Sequence, residues 1–173
     1  MESGAIGMAL GAALSGKRPV IEMQFADFVS CGFNQVVNNL AKTYYRWKAP
    51  VPVVIRLPYG GGVGSGPFHS QSPEAWFAHT PGLVVVAPST AGDALGLLKS
   101  SIRDPNPVLF LEHRFLYRRE KELLSAGDHL VPIGRARVAR KGELITVLTW
   151  GWTVGESLAA AEEAAKDGTS VEV

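Results

Sequence analysis

His69 closes a loop dense in glycine, Gly60-Gly61-Gly62-Val63-Gly64-Ser65-Gly66-Pro67-Phe68-His69, which runs on through Ser70-Gln71-Ser72-Pro73-Glu74-Ala75 into the aromatic pair Trp76-Phe77. Glycine reaches backbone conformations closed to other residues and puts no side chain in the way, so such a loop lets main chain approach a ligand closely. An imidazole held at its end titrates near neutrality and can supply or accept a proton. The β-branched run 51–57 precedes the loop, which places it at a strand end, where open α/β sheets carry their sites.

Other chemistries are excluded by the residues around the loop. No Gly-Lys-Ser/Thr follows the glycines, so this is not a phosphate-binding loop of the Walker kind. Val63 stands two before Ser65 where a nucleophile elbow needs glycine, which argues against a serine hydrolase. His79, His113 and His129 lie in no comparable context. Asp104-Pro105-Asn106-Pro107 reads in two ways: as oxygen donors for a hard cation, or as a turn whose Asx side chains bond local backbone.

Composition narrows the class further. A balance of 17 Lys and Arg against 16 Asp and Glu, scattered along the chain, is not the footprint of a nucleic-acid surface. The mixed run 114–122 reads as a solvated linker. Cys31 is the single cysteine, so no internal disulfide forms and a reducing cytoplasm fits. The apolar stretch 4–16 is too short to span a bilayer and has Glu2 where a secretory leader would be basic, so it is expected to be a buried helix and no membrane is expected.

These chemical groups must be held by alternating strands and helices. Residues 5–14, with Gly7 and Gly11 on one face, predict a helix that another backbone approaches closely, and 20–25 a short buried strand. Asp27 or a neighbour is expected to cap a helix whose apolar positions Phe33, Val37, Leu40, Tyr44 and Trp47 step by four, three, four and three. Strands follow at 53–57, 83–87 and 108–111, with a helix between the last two capped by Thr90 and Asp93. Strands buried on both faces and separated by helices predict a parallel sheet. From about 115 to 141 the rhythm is lost, and 144–149, 155–166 and 170–173 then read as strand, helix and strand.

Taken with Glu22-Met23-Gln24-Phe25-Ala26-Asp27-Phe28 and Ile102-Arg103-Asp104-Pro105-Asn106-Pro107-Val108, the glycine loop and its sequel closely resemble the beta subunit of thiamine-diphosphate-dependent 2-oxo acid dehydrogenases over nearly the whole chain. The resemblance implies an α/β protein: a mostly parallel sheet of the transketolase-like pyrimidine-binding fold in 1–117, a linker over 118–141, and in 142–173 the first βαβ part of a transketolase C-terminal-like domain. It implies, too, a fragment of a longer subunit.

The site residues come with that resemblance. Glu2 matches the glutamate that hydrogen-bonds the aminopyrimidine of thiamine diphosphate, and burial is expected to raise its pKa. Phe28 matches the aromatic that stacks on that ring, Gln24 another residue lining the pocket, and His69 the active-site histidine near the substrate and the lipoyl group. Ser101, Asp104 and Asn106, with carbonyls of Val51, Val53 and Val54, match a potassium site of some members, beside the plain-turn alternative. Magnesium and the pyrophosphate ligands are expected on an alpha subunit. A second beta subunit and a lipoyl-bearing acyltransferase core complete the implied partners.

Residues 23–28 and 72–82 look closer to the branched-chain branch, so 2-oxoisovalerate is favoured over pyruvate as the 2-oxo acid. Two rival readings remain: another transketolase-like thiamine enzyme, and a non-catalytic remnant that keeps only a subunit-binding surface.

Overall fold

The computed structural model describes residues 1–124 and 126–173. Its centre is a four-stranded sheet in the order β1-β2-β4-β3, formed by β1 (Val20–Glu22), β2 (Val54–Tyr59), β3 (Val84–Val86) and β4 (Val108–His113). Every pairing is parallel, with Val54 opposite both Val20 and Val108. Val, Ile and Leu dominate β2 and β4 because both faces are covered, and Ile55, Leu57, Leu109 and Leu111 are fully buried.

One face packs on α1 (Glu2–Leu14) and the segment after β1, and the other on α4 (Ala91–Arg103). The side chain of Thr90 accepts from the Asp93 N–H, so the expected cap of α4 is present. Helix α1 buries Ile6, Ala9 and Ala13. Its Gly7 and Gly11 face, expected at a domain centre or a subunit interface, meets no neighbour within 4 Å in this chain; a close approach within the chain is at Gly32, where a Cβ would overlap Ile6.

The single helix expected after Asp27 is instead three pieces: a 3-10 stretch over Ala26–Gly32, a π-helix over Gln35–Leu40, and α2 (Ala41–Trp47). A π turn holds more residues than an α turn and rotates all that follows. The buried positions become Val36, Leu40, Ala41 and Thr43, while Phe33, Tyr44 and Trp47 stay 40%, 53% and 64% exposed. Asp27 caps nothing here; its carboxylate serves a distant loop.

Beyond β4 a 3-10 stretch over Arg114–Arg118 leads into irregular chain fastened along α4. Ser100 donates to the Val131 carbonyl at 2.6 Å, and Asp128 pairs with Arg103 and Lys99. A second, two-stranded sheet follows, β5 (Ile145–Thr146) with β6 (Val171–Glu172), crossed by α5 (Thr153–Lys166). The pairing is again parallel, with strands shorter than expected. Among the described residues no helix is long and apolar enough to cross a membrane.

At Gly82 the backbone has φ +97°, and a Cβ there would collide with the Ala41 carbonyl at the start of α2. Gly82→Ala combines a disfavoured backbone with that clash and is expected to cost at least about 2 kcal/mol, read as a lower urea midpoint.

Candidate functional site

Parallel pairing puts the carboxyl ends of β1, β2 and β4 on one edge of the sheet. The loops leaving them carry residues 23–28, 60–71 and 114–118, so three remote stretches of sequence meet there. The imidazole of His69 lies edge-on to Phe25 and Phe28, with ring centroids 4.6 and 5.5 Å away, and the two phenylalanines are 5.6 Å apart. T-shaped contacts of this kind hold rings in a fixed mutual orientation.

The polar frame behind the rings is more extensive. Asp27, 6% exposed, accepts at Oδ1 from the backbone N–H groups of Ser70 and Gln71, each at 3.2 Å. Arg114 donates from Nη1 to the His69 carbonyl at 2.6 Å and from Nη2 to Ser65 Oγ at 2.9 Å, with its guanidinium 4.7 Å from the centre of the Phe25 ring. The Gly60 N–H donates to the Gln71 carbonyl at 3.1 Å and closes the loop at its base.

Gly60 has φ +90°, and a Cβ would run into the His113 ring. That ring in turn meets Tyr59 edge-on at 5.0 Å and stacks on Trp152 at 6.1 Å. Burial pushes the Tyr59 hydroxyl pKa up, and the nearby Glu74 carboxylate adds to it.

Of the residues expected from sequence, Phe28 and His69 are brought together and Gln24 lies exposed on the loop leaving β1. Glu2 starts α1, whose backbone passes Gly32: the Glu2 carbonyl carbon is 3.5 Å from where a Gly32 Cβ would be. Its carboxylate bonds the Met1 ammonium at 2.8 Å, and that bond draws its pKa down.

The cation-site candidates gather at the opposite edge of the sheet, before β2 and β4. Val51 N–H donates to the Pro105 carbonyl at 3.0 Å and the Val53 carbonyl accepts from Val108 at 2.8 Å. The side-chain donors have local partners: Ser101 Oγ bonds the Leu97 carbonyl at 2.7 Å, and Asp104 Oδ1 accepts from the Asn106 backbone and side chain at 2.8 and 2.9 Å. Arg18 also reaches the carbonyls of Ile102 and Asp104, at 2.8 and 3.1 Å. Among the described residues no group of three His, Cys, Asp or Glu is arranged to hold a metal.

Two residues of the site escape sequence reasoning. Asp27 reads as a helix cap, and Arg114 belongs to a run that reads as solvated linker; in the structure both fasten the His69 loop. A charge-rich segment directly after a buried strand was the available signal. On the α4 side of the sheet, Arg56 bridges Glu22 at 2.5 Å and Glu112 at 2.6 Å, and Tyr117 donates to Glu112 at 2.6 Å. Arg56, Glu112 and Tyr117 border a cavity of about 360 Å³ with an apolar wall from Leu95, Leu98 and Phe110. A wider groove of about 910 Å³ lies between the 87–97 region and the C-terminal segment. Neither is lined by Glu2, Gln24, Phe28 or His69.

Comparison with known families gives the relatives of this chain. The pyrimidine-binding domain of transketolase matches residues 1–120 and the transketolase C-terminal domain matches 134–173. The chain belongs to the transketolase pyrimidine-binding domain family. It is 50% identical over 176 residues to the 2-oxoisovalerate dehydrogenase subunit beta of Bacillus subtilis, covering 99% of this chain and 53% of that one. To the pyruvate dehydrogenase E1 component subunit beta of Staphylococcus epidermidis it is 47% identical, covering 99% and 54%. The chain thus spans about half the length of the curated relatives it matches. Among solved structures, a split-gene transketolase described as an inactive beta4 tetramer superposes with TM-score 0.77 over 99% of this chain and 54% of that one, at 22% identity, which bears on the fold alone.

Burial holds the His113 imidazole below its ordinary range; Glu74 opposes this and Arg114 reinforces it. Folding therefore prefers the neutral ring. Its contribution to stability is complete above the ordinary pKa of about 6.5 and is lost as pH falls through the depressed value. NMR titration is expected to give His113 a midpoint below 6.5, and His113→Asn to flatten the fall in stability as pH drops below that value.

Proposed function

We propose that this chain is the beta-subunit part of a 2-oxo acid dehydrogenase, which decarboxylates a 2-oxo acid on thiamine diphosphate and passes the acyl group to a lipoyl domain. The observation that carries the reading is the packing of His69 against Phe25 and Phe28 at the carboxyl edge of a parallel sheet, in a chain half identical to a 2-oxoisovalerate dehydrogenase beta subunit. A branched-chain acid such as 2-oxoisovalerate is preferred over pyruvate, supported by residues 23–28 and by the 50% identity against 47% for the pyruvate relative.

The residues present suit the aminopyrimidine half of the cofactor. Phe28 offers an aromatic face, and stacking there would orient the ring. Gln24 would line the same pocket. Glu2 would hold a proton at its carboxyl for the ring nitrogen. Thiamine diphosphate, when bound, supplies the electron sink for decarboxylation. The His69 imidazole, its backbone fixed and its ring at the loop end, would move the proton that accompanies acyl transfer to the lipoyl sulfur.

The diphosphate and its magnesium would be held by an alpha subunit. A second beta subunit would cover apolar surface such as Met8, Tyr44 and Trp47, which are 75%, 53% and 64% exposed. Potassium at the 51–54 and 101–106 cluster would require Asp104 to redirect its bonds from Asn106. We place the division between pyrimidine-binding domain, linker and second domain at 1–117, 118–141 and 142–173, and the assembly in the cytoplasm.

In a full-length version produced with its alpha subunit, His69→Ala is expected to slow reductive acylation of a lipoyl domain by about a hundredfold to ten-thousandfold. Thiamine diphosphate affinity should change little. Acylation at the parental rate would remove His69 from the mechanism.

A further inference from the structure

We propose that Asp27 and Arg114 are the positioning residues of His69, a clamp that takes up the backbone groups around it and leaves the imidazole as its one uncommitted polar group. The claim about catalysis rests on the role given to His69 above; the claim about the clamp rests on geometry.

A glycine-rich loop cannot by itself hold a side chain still. Four of its glycines, Gly60, Gly62, Gly64 and Gly66, have positive φ, and no regular element lies between β2 and the single 3-10 turn Pro67–His69. Order has to be imposed from outside. The His69 N–H bonds the Gly66 carbonyl at 3.3 Å, inside the turn. The next three bonds come from other segments: Arg114 to the His69 carbonyl, and Asp27 to the N–H groups of Ser70 and Gln71. Arg114 also reaches back to Ser65, so one planar guanidinium spans the loop from four residues before His69 to His69 itself.

The two side chains come from different segments, one after β1 and one after β4. Asp27 stands between Phe25 and Phe28, the rings that pack on the imidazole, so the bonds it makes fix the rings and the loop as one body. Arg114 lies over Phe25 and joins the same body to the end of β4. Asp27 Oδ2 is buried with no hydrogen-bond partner among the described residues. Burying a carboxyl with an oxygen unpartnered is costly, and a helix cap or surface turn would not call for it. What the burial secures is a pair of consecutive N–H groups that would otherwise be orphaned beside His69.

Asparagine at 27 keeps an acceptor oxygen for both N–H groups, whereas alanine keeps none. Lysine at 114 keeps the charge but cannot hold two acceptors in the fixed fork of a guanidinium.

The test compares Asp27→Ala with Asp27→Asn by amide hydrogen exchange on the whole chain. Asp27→Ala is expected to speed exchange at Ser70 and Gln71 by about tenfold or more while β2 and β4 amides keep their protection. Asp27→Asn should stay within about threefold of the parent. Unchanged exchange in Asp27→Ala overturns the clamp. Should that variant not fold, Arg114→Ala, made at a partly exposed position, loosens the same loop and is held to the same standard.

The second readout is lipoyl acylation by the full-length protein with its alpha subunit. Asp27→Ala is expected to lower kcat with KM for the 2-oxo acid unchanged, Asp27→Asn to recover most of the loss, and the double variant with His69→Ala to be no slower than His69→Ala alone. Normal acylation in Asp27→Ala beside impaired acylation in His69→Ala overturns the positioning role. Normal acylation in both, with exchange at Ser70 and Gln71 still accelerated, leaves the clamp standing and overturns the function given to His69.

Discussion

The parallel pairing of β2 with β4 is the constraint from which the rest follows. Six residues of each strand are in register, from Val54 with Val108 to Tyr59 with His113. Nearly all are buried, on both faces, and each large aliphatic side chain so removed from water contributes roughly 1.5–3 kcal/mol. Parallel strands cannot be joined by a tight turn, so each connection crosses back over the sheet and every strand delivers its carboxyl end to the same edge. Shifting the register by one residue would move the side chains of one strand to the opposite face and break the packing of both cores. The same shift would part the 60–71 loop from Arg114. Core and site are therefore fixed by one pairing.

Within that frame the two edges of the sheet differ in character. At the carboxyl edge, two phenylalanine rings pack on one imidazole while Asp27 and Arg114 hold the backbone beside it, and much of the hydrogen bonding runs between loops. At the amino edge, the Asp104 turn satisfies itself and receives Arg18 from outside. Arg56 is a third kind of feature. It sits on the central strand where the pattern calls for an apolar residue, and it is tolerated because Glu22 and Glu112 on the flanking strands both answer it. Its charge ties β1, β2 and β4 together across the direction of the strands.

Much of this was legible in the residues. The strands 53–57, 83–87 and 108–111 could be read because continuous β-branched runs bounded by proline and glycine have few other uses, and the α4 cap because Thr90 and Asp93 stand three apart. Phe28 and His69 were legible only through motif resemblance, since they stand 41 positions apart and nothing local joins them. The π-helix was hidden because an apolar spacing of three and four is satisfied by an α-helix as well, and one wide turn is enough to expose Tyr44 and Trp47. Asp27 and Arg114 were misread for a related reason: their short-range contexts, a helix start and a charged run, have common local meanings, whereas their partners lie more than forty residues away.

The central claim is that the edge bearing Phe28 and His69 faces the aminopyrimidine. The most direct measurement is NMR chemical-shift mapping on the labelled chain as thiamine diphosphate is added. The account predicts weak binding, with the largest shifts at Phe28, the His69 ring and the Ser70 amide. Shifts centred on the cavity beside Arg56 and Tyr117, with residues 25–28 and 69–71 unmoved, would contradict it.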